Sequence, residues 1–363
     1  MKNPSRKEEE AVTVSSGNPY ISAAIFTAEV LGILIALVLL EMRRRRQSPS
    51  LFQVLVTALV ITDLLGSFSI SPLALASYTQ NRTLVDMSKN RAVCAYFGFS
   101  LTFFSLATLA ILCAMALERY LSFGQPFFYE RHLTKRCGYI TIPLIYLVCI
   151  FFCLAPFMGF GEYVQYCPGN WCFFDMNPNE TKHKVYVGVY ASLALIMIST
   201  TVISNLSVVY HLIIMYRRYK SHRGGVTRRI RFYQKSFAMT EEVEHLLLLV
   251  FITVAFVICS FPLVLRVYVN FTGRSKKSHA TDLAALRLLS FNSIINPWVF
   301  IILRPSVLRF LWRKLTLSKA QNRLQVASVA SHQLHHAAIT CIVRGTIGQP
   351  IILKKKLCGQ IHD

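Results

Sequence analysis

Three charged side chains interrupt stretches that are otherwise apolar: Glu29, Asp63 and Arg287. An ionisable group among hydrocarbon is costly to keep and marks a place where recognition or chemistry is done. Arg287 lies about a helical turn, roughly 6 Å, inside its apolar segment. A guanidinium there can receive an anion, and its planar fork fits a carboxylate through two parallel hydrogen bonds. The apolar surroundings would take a hydrocarbon tail, which together describes a fatty-acid mediator. The competing readings are that Arg287 snorkels to headgroups or pairs with Asp282. A second polar cluster, Glu118-Arg119-Tyr120, ends another apolar run, near a basic loop and Glu241, Glu242 and Glu244. A contact of this kind that can break is a two-state latch, headgroup anchoring being the blander alternative. No nucleophile, acid–base pair or ligand set converges anywhere, so the chain is expected to be no enzyme, with no cofactor and no metal. His211, near the inner end of an apolar run, reads as interfacial.

The elements that position these groups follow from composition. The 363 residues are 54% hydrophobic and 15% charged, the profile of a chain whose solvent is lipid. A formal charge of +22 could suggest nucleic acid, yet the basic residues fall in short runs between apolar segments, so no nucleic-acid partner is expected. Seven segments reach the roughly twenty residues a bilayer needs: 21–40, 51–78, 93–117, 138–161, 185–216, 246–265 and 283–303. Arg43 to Arg46 follow the first span, and eight Lys or Arg lie from Arg217 to Lys235 after the fifth. By the positive-inside rule both loops are cytoplasmic and the N-terminus is outside. Sequons at Asn81, Asn179 and Asn270 all fall on the outer side, making them the glycosylation candidates, while a fourth at Asn205 is mid-span. Membrane lipids are the expected surroundings.

The expected fold is therefore an all-α membrane protein, a seven-transmembrane helix bundle. Residues 1–20 form an extracellular N-terminus without the core of a cleavable signal, 21–303 the bundle, 304–316 a short amphipathic eighth helix, and 317–363 a mostly disordered cytoplasmic tail. Lys354 to Lys356 in that tail could meet anionic lipid, and Cys341 or Cys358 could be acylated. The ten cysteines show no metal-ligand spacing. Cys113, Cys149, Cys153 and Cys259 sit in apolar runs as small hydrophobes, so one disulfide is expected. Pro262 removes a helix hydrogen bond in the sixth span and supplies a kink.

Seven spans of this polarity suggest a receptor, and the motifs narrow the choice. Leu117-Glu118-Arg119-Tyr120 resembles the acidic-Arg-Tyr motif of rhodopsin-like G-protein-coupled receptors; Asp63 matches their helix-two sodium-site aspartate, Cys94 the cysteine atop helix three, and Asn296-Pro297 the start of the helix-seven motif. The run from Gln165 to Phe173 (QYCPGNWCF) and that from Leu286 to Phe300 (LRLLSFNSIINPWVF) are similar to the prostanoid receptor family, and in particular to its second prostaglandin E subtype. The resemblance covers about residues 20–315. It implies a plasma-membrane receptor for prostaglandin E2 that raises cyclic AMP through a stimulatory heterotrimeric G protein, with arrestin and receptor kinases as further partners. Arg287 matches the family's carboxylate-binding arginine; Tyr78, Asn170, Trp171, Ser290 and Ser22 join it as ligand-binding candidates. Glu118, Arg119, Tyr120, Asp63, Asn296 and Pro297 become the coupling residues. The loop motif favours a Cys94–Cys172 disulfide, with Cys94–Cys167 the alternative.

The chain departs from that pattern. Relatives carry a hydroxyl residue at Asn170, asparagine at Ile33, a small residue at Glu29 and aspartate at Asn296, so Asp63 is expected to have Asn296 as its main polar neighbour. Other readings are a receptor for prostaglandin D, prostacyclin or another oxidised fatty acid, and, in a different class, a transporter, which the absence of paired broken helices disfavours.

Overall fold

A computed structural model describes residues 19–46, 50–167, 169–221, 229–271 and 279–302. The expected eighth helix at 304–316, the tail at 317–363 and nearly all of the N-terminus at 1–20 lie outside the described residues, as do the side chains of Glu241, Glu242 and Glu244. Every long apolar run is a helix, because in hydrocarbon only a segment that bonds its own N–H and C=O groups leaves none unsatisfied. α1 spans Pro19–Arg46, α2 Leu51–Gln80 and α3 Ala92–Gly124; a short α4, Pro126–His132, precedes α5, Lys135–Leu154. A hairpin of β1, Tyr163–Tyr166, and β2, Trp171–Phe174, is followed by α6, Thr181–Ser221, α7, Arg229–Phe271, and α8, His279–Ile302. Among the described residues, six of the seven long helices are apolar enough to cross a bilayer; the seventh, α8, carries Asp282 and Arg287.

The expected spans hold, with instructive differences at their edges. The apolar run of the fourth span continues to residue 161, but α5 stops at Leu154 and gives way to a 3-10 turn over Ala155–Met158. Pro156 has no N–H to continue the ladder. Gly159 and Gly161, at φ +88° and +100°, then carry the chain away from the helix axis. α6 and α7, at 41 and 43 residues, outrun the apolar stretches that revealed them, since hydropathy reports the membrane and not the end of the helix.

α1, α2, α3, α6, α7 and α8 pack in a closed ring in which each touches the next, and α5 leans on α2 and α3 from outside. α3 is the hub, meeting α2, α4, α5, α6, α7 and both strands. Lipid offers hydrocarbon as good as leucine, so helices associate by close packing and polar contacts. Ile140, Leu144, Leu147 and Phe151 of α5, spaced as one helical face, are exposed toward lipid. Inside, Phe52, Ile111, Leu112, Met115 and Leu249 form one fully buried cluster, and Phe97, Phe173, Phe174 and Met176 a second around the hairpin. Hydrogen bonds cross between helices at Thr62–Tyr146 (2.7 Å) and from the Asn205 amide to Thr253 (2.7 Å). That bond also disposes of the mid-span sequon, whose asparagine is buried.

The hairpin pairs Tyr163 with Phe174 and Tyr166 with Trp171. A disulfide from Cys94 to Cys172 fastens β2 to the outer end of α3, resolving the two expected pairings; Cys167 is free and exposed. The α2–α3 loop is tied in as well, the Leu84 N–H donating to Gly169 O and the Val85 N–H to Gln165 Oε1, both at 2.9 Å. Burial pushes the Tyr166 phenol above its ordinary range, so its hydroxyl stays protonated and donates to Phe174 O at 3.0 Å. Under the hairpin, Gly98 of α3 meets Tyr163 so closely that an added Cβ would stand 2.5 Å from the ring, and the Tyr163 hydroxyl is itself held by Cys153 O. Gly98→Ala should therefore lower the stability of the detergent-purified protein by about 1–3 kcal/mol, read as a fall in melting temperature by tryptophan fluorescence.

Candidate functional site

Between α1, α2, α3 and α8 lies a cavity of about 280 Å³ roofed by the residues leading into β2. Its outer end is lined by Ser22, Tyr78, Asn170, Trp171, Arg287 and Ser290. Each of the six residues singled out in the sequence thus reaches one space, although they come from four separated segments. Helical phase explains α8: Arg287, Ser290 and Ile294 recur at three and four residues, the spacing of one face. On α2, Ser67, Ile70, Ser71, Ala74 and Tyr78 do the same.

Arg287 makes no hydrogen bond or ion pair among the described residues. The pairing with Asp282 that the sequence left open does not form. Asp282, 1% exposed, instead takes Arg266 of α7 at 2.7 Å and a long bond from the Asn270 amide at 3.4 Å. The guanidinium therefore faces the cavity with its charge uncompensated, while apolar side chains such as Phe26, Ile70, Leu101, Phe104 and Leu289 make up the walls. Asn170 is fully buried, and neither its amide nitrogen nor its oxygen has a partner among the described residues. A buried amide with both ends unpaired costs on the order of 1–3 kcal/mol per group, so it is stored binding capacity. Trp171 is held edge-on against Phe97, ring centroids 5.9 Å apart. Ser290 donates to Leu286 O within its own helix.

The cavity floor reaches Asp63. Its carboxylate accepts from the Asn296 amide at 3.0 Å and the Thr108 hydroxyl at 3.2 Å, joining α2 to α8 and α3. The Asn296 contact agrees with the sequence expectation; Thr108 was not foreseen, being an ordinary small hydroxyl in an apolar run. Ile33, fully buried, supplies Asp63 with no polar contact. Pro297 follows in the same buried stretch.

At the inner end of α3, Glu118 and Arg119 pair at 3.0 Å, both nearly buried. Two contacts here were not legible in the sequence. Tyr129 of α4 donates to Glu118 at 2.6 Å, and the Arg119 guanidinium stacks over the Phe52 ring of α2 at 4.1 Å. Tyr120 is half-buried beside them. His211 is exposed. Among the sequons, Asn81 caps α2 at φ 49° and is exposed, Asn179 is exposed in a bend, and Asn270 is half-buried in α7 on Asp282.

Comparison with known proteins gives this geometry a context. The family model described as "7 transmembrane receptor (rhodopsin family)" matches residues 32–300. The prostaglandin E2 receptor EP2 subtype of Canis lupus familiaris is 46% identical over 87% of this chain and 90% of its own length, and that of Homo sapiens 46% over 86% and 90%. The prostaglandin D2 receptor of Homo sapiens is 39% identical over 89% and 96%. Among solved structures, squid rhodopsin superposes with a TM-score of 0.66 at 14% identity, over 84% of this chain and 88% of that one, a likeness of fold.

The buried Asp63 node predicts a non-additive pair. Asn296→Leu should cost about 1–3 kcal/mol by leaving a carboxyl short of a donor, whereas Asp63→Leu with Asn296→Leu should cost less than the two single changes together, measured by thermal unfolding of the purified protein.

Proposed function

The chain belongs to the rhodopsin family of seven-transmembrane receptors, and from that premise we propose that it is a receptor for prostaglandin E2 which activates a stimulatory heterotrimeric G protein and so raises cyclic AMP. As a member of that family it is a multi-pass plasma-membrane protein and not an enzyme. One observation carries the ligand class: an unpaired guanidinium, Arg287, at the outer end of a cavity with apolar walls. A lipid carboxylate answers both halves of that description. The choice of prostaglandin E2 within the class is supported by the 46% identity to receptors named for it, against 39% for the prostaglandin D2 receptor.

In this reading the carboxylate pairs with Arg287, and the Asn170 amide, the Tyr78 hydroxyl and the Ser22 and Ser290 hydroxyls stand around the head of the ligand. Trp171, braced on Phe97, packs over it. The hydrocarbon chains fill the space toward Asp63. Signalling needs only that the ligand bind one arrangement of the helices better than another, since affinity difference, and not affinity, shifts an equilibrium. The floor supplies the connection, because Asp63 holds α2, α3 and α8 through two hydrogen bonds. The resting state is held at the inner end by Glu118–Arg119, with Tyr129 on the glutamate and Phe52 under the arginine. Opening that latch frees Arg119 and Tyr120 for the G protein and, in turn, for receptor kinases and arrestin. Asn81 and Asn179, exposed on the outer side, are the better glycan acceptors; Asn270 would have to leave Asp282.

Two measurements test this. In cells without endogenous prostanoid receptors, prostaglandin E2 should raise cyclic AMP saturably, and Arg287→Ala at matched surface expression should shift the response to roughly 10- to 100-fold higher concentration, the worth of a charge-assisted pair. A wild-type protein that reaches the surface and responds better to prostaglandin D2 would transfer the assignment to that ligand. Tyr129→Phe, by loosening Glu118, should raise ligand-independent cyclic AMP about twofold or more.

A further inference from the structure

The cavity has polar groups at both ends, and the reading above uses only one. Glu29 of α1, 5% exposed, lines the inner part, two helical turns or about 10 Å below Ser22. No cation pairs with it among the described residues. The Ser67 hydroxyl stands beside its carboxyl and completes no hydrogen bond among the described residues. Across the space, the Asn292 side-chain oxygen is likewise buried and unpartnered among the described residues. All three residues line the same cavity that begins at Arg287. Between the two ends the wall is hydrocarbon, from Ile25, Phe26, Ile70, Leu101, Phe104 and Leu289.

We propose that Glu29, with Ser67 and Asn292, forms a second polar subsite that hydrogen-bonds an alcohol on the hydrocarbon tail of the ligand whose carboxylate Arg287 holds. The claim rests on the receptor reading above and adds what that ligand must carry. Glu29 and Asn292 offer mainly acceptors, and Ser67 offers a hydroxyl that can give or take. A second anion is excluded by the glutamate. An alcohol donates its one proton to the Glu29 or Asn292 oxygen and accepts from Ser67, whereas a ketone has no proton to give and a bare methylene chain can do neither. A tail without the hydroxyl would leave this buried polar cluster with no partner from the ligand, and sites of this kind reject analogues that lack the matching hydroxyl.

The test is competition binding of prostaglandin E2 and its analogue lacking the side-chain hydroxyl on wild type, Glu29→Gln, Glu29→Ala and Ser67→Ala, each at matched surface expression, with and without sodium. The wild type should prefer the hydroxylated ligand. Glu29→Ala should weaken that ligand about tenfold or more and leave the deoxy analogue nearly unchanged, with Glu29→Gln and Ser67→Ala intermediate. Equal loss for both ligands would assign Glu29 to packing or to the nearby Asp63 and overturn the subsite alone, as would a sodium-dependent effect common to both. Absence of any binding to surface-expressed wild type would overturn the receptor reading and the subsite together.

Discussion

Hydrocarbon gives a polar group nothing to bond, and this one property of the solvent arranges the molecule. Among apolar helices there is no hydrophobic force to choose neighbours, so the few polar side chains choose them. Asp63 shows the rule most fully: a buried carboxyl drawn to Asn296 and Thr108 fixes three helices at one depth. The Thr62–Tyr146 bond sets α5 against α2, Asn205 and Thr253 join α6 to α7, and Arg266 with Asp282 joins α7 to α8 near their outer ends. The groups that hold the bundle are thus the ones able to carry a change through it.

By the same rule, polar groups left without partners stand out. Arg287, Asn170, Ser67 and Asn292 all face one cavity with bonding capacity unspent. Unpartnered polar atoms also occur elsewhere in the bundle, at Tyr186 and Ser260 among others, but around this space they gather beside a charged guanidinium, and that gathering suits an occupant that brings the complement. The Arg266–Asp282 pair matters here for what it prevents. By occupying the Asp282 carboxylate, Arg266 keeps Arg287 available.

Much of this was legible in the sequence because the signals were local or spaced by known rules. Seven apolar runs, the one-sided basic loops, and Arg287 alone in its run follow from a single chain and the thickness of a bilayer. The Asp63–Asn296 contact and the Cys94–Cys172 bond were reachable because a resemblance placed those residues on facing elements. What stayed hidden depends on rotation and reach. Nothing in Thr108 announces that it turns toward Asp63, and Phe52 beneath Arg119 is one of many phenylalanines. α4 was missed because seven residues carry too little periodicity to read, and with it went Tyr129. The end of α5 was misplaced because apolar residues continue past Pro156, where the backbone can no longer follow. Arg266 and Asp282 are opposite charges at the outer ends of adjacent spans, a signal carried by depth in the membrane and not by sequence distance.

The hairpin over the cavity has a consequence in time. It is bound covalently to α3 at Cys94–Cys172 and by backbone hydrogen bonds to the α2–α3 loop, so α2, α3 and the roof form one assembly. A roof fastened in this way cannot swing clear, and a bound molecule must leave past its edge. Affinities of related complexes differ chiefly in how fast they come apart. The persistence of a signal is then set by stitching that never touches the occupant, and two receptors with the same inner surface could keep very different clocks.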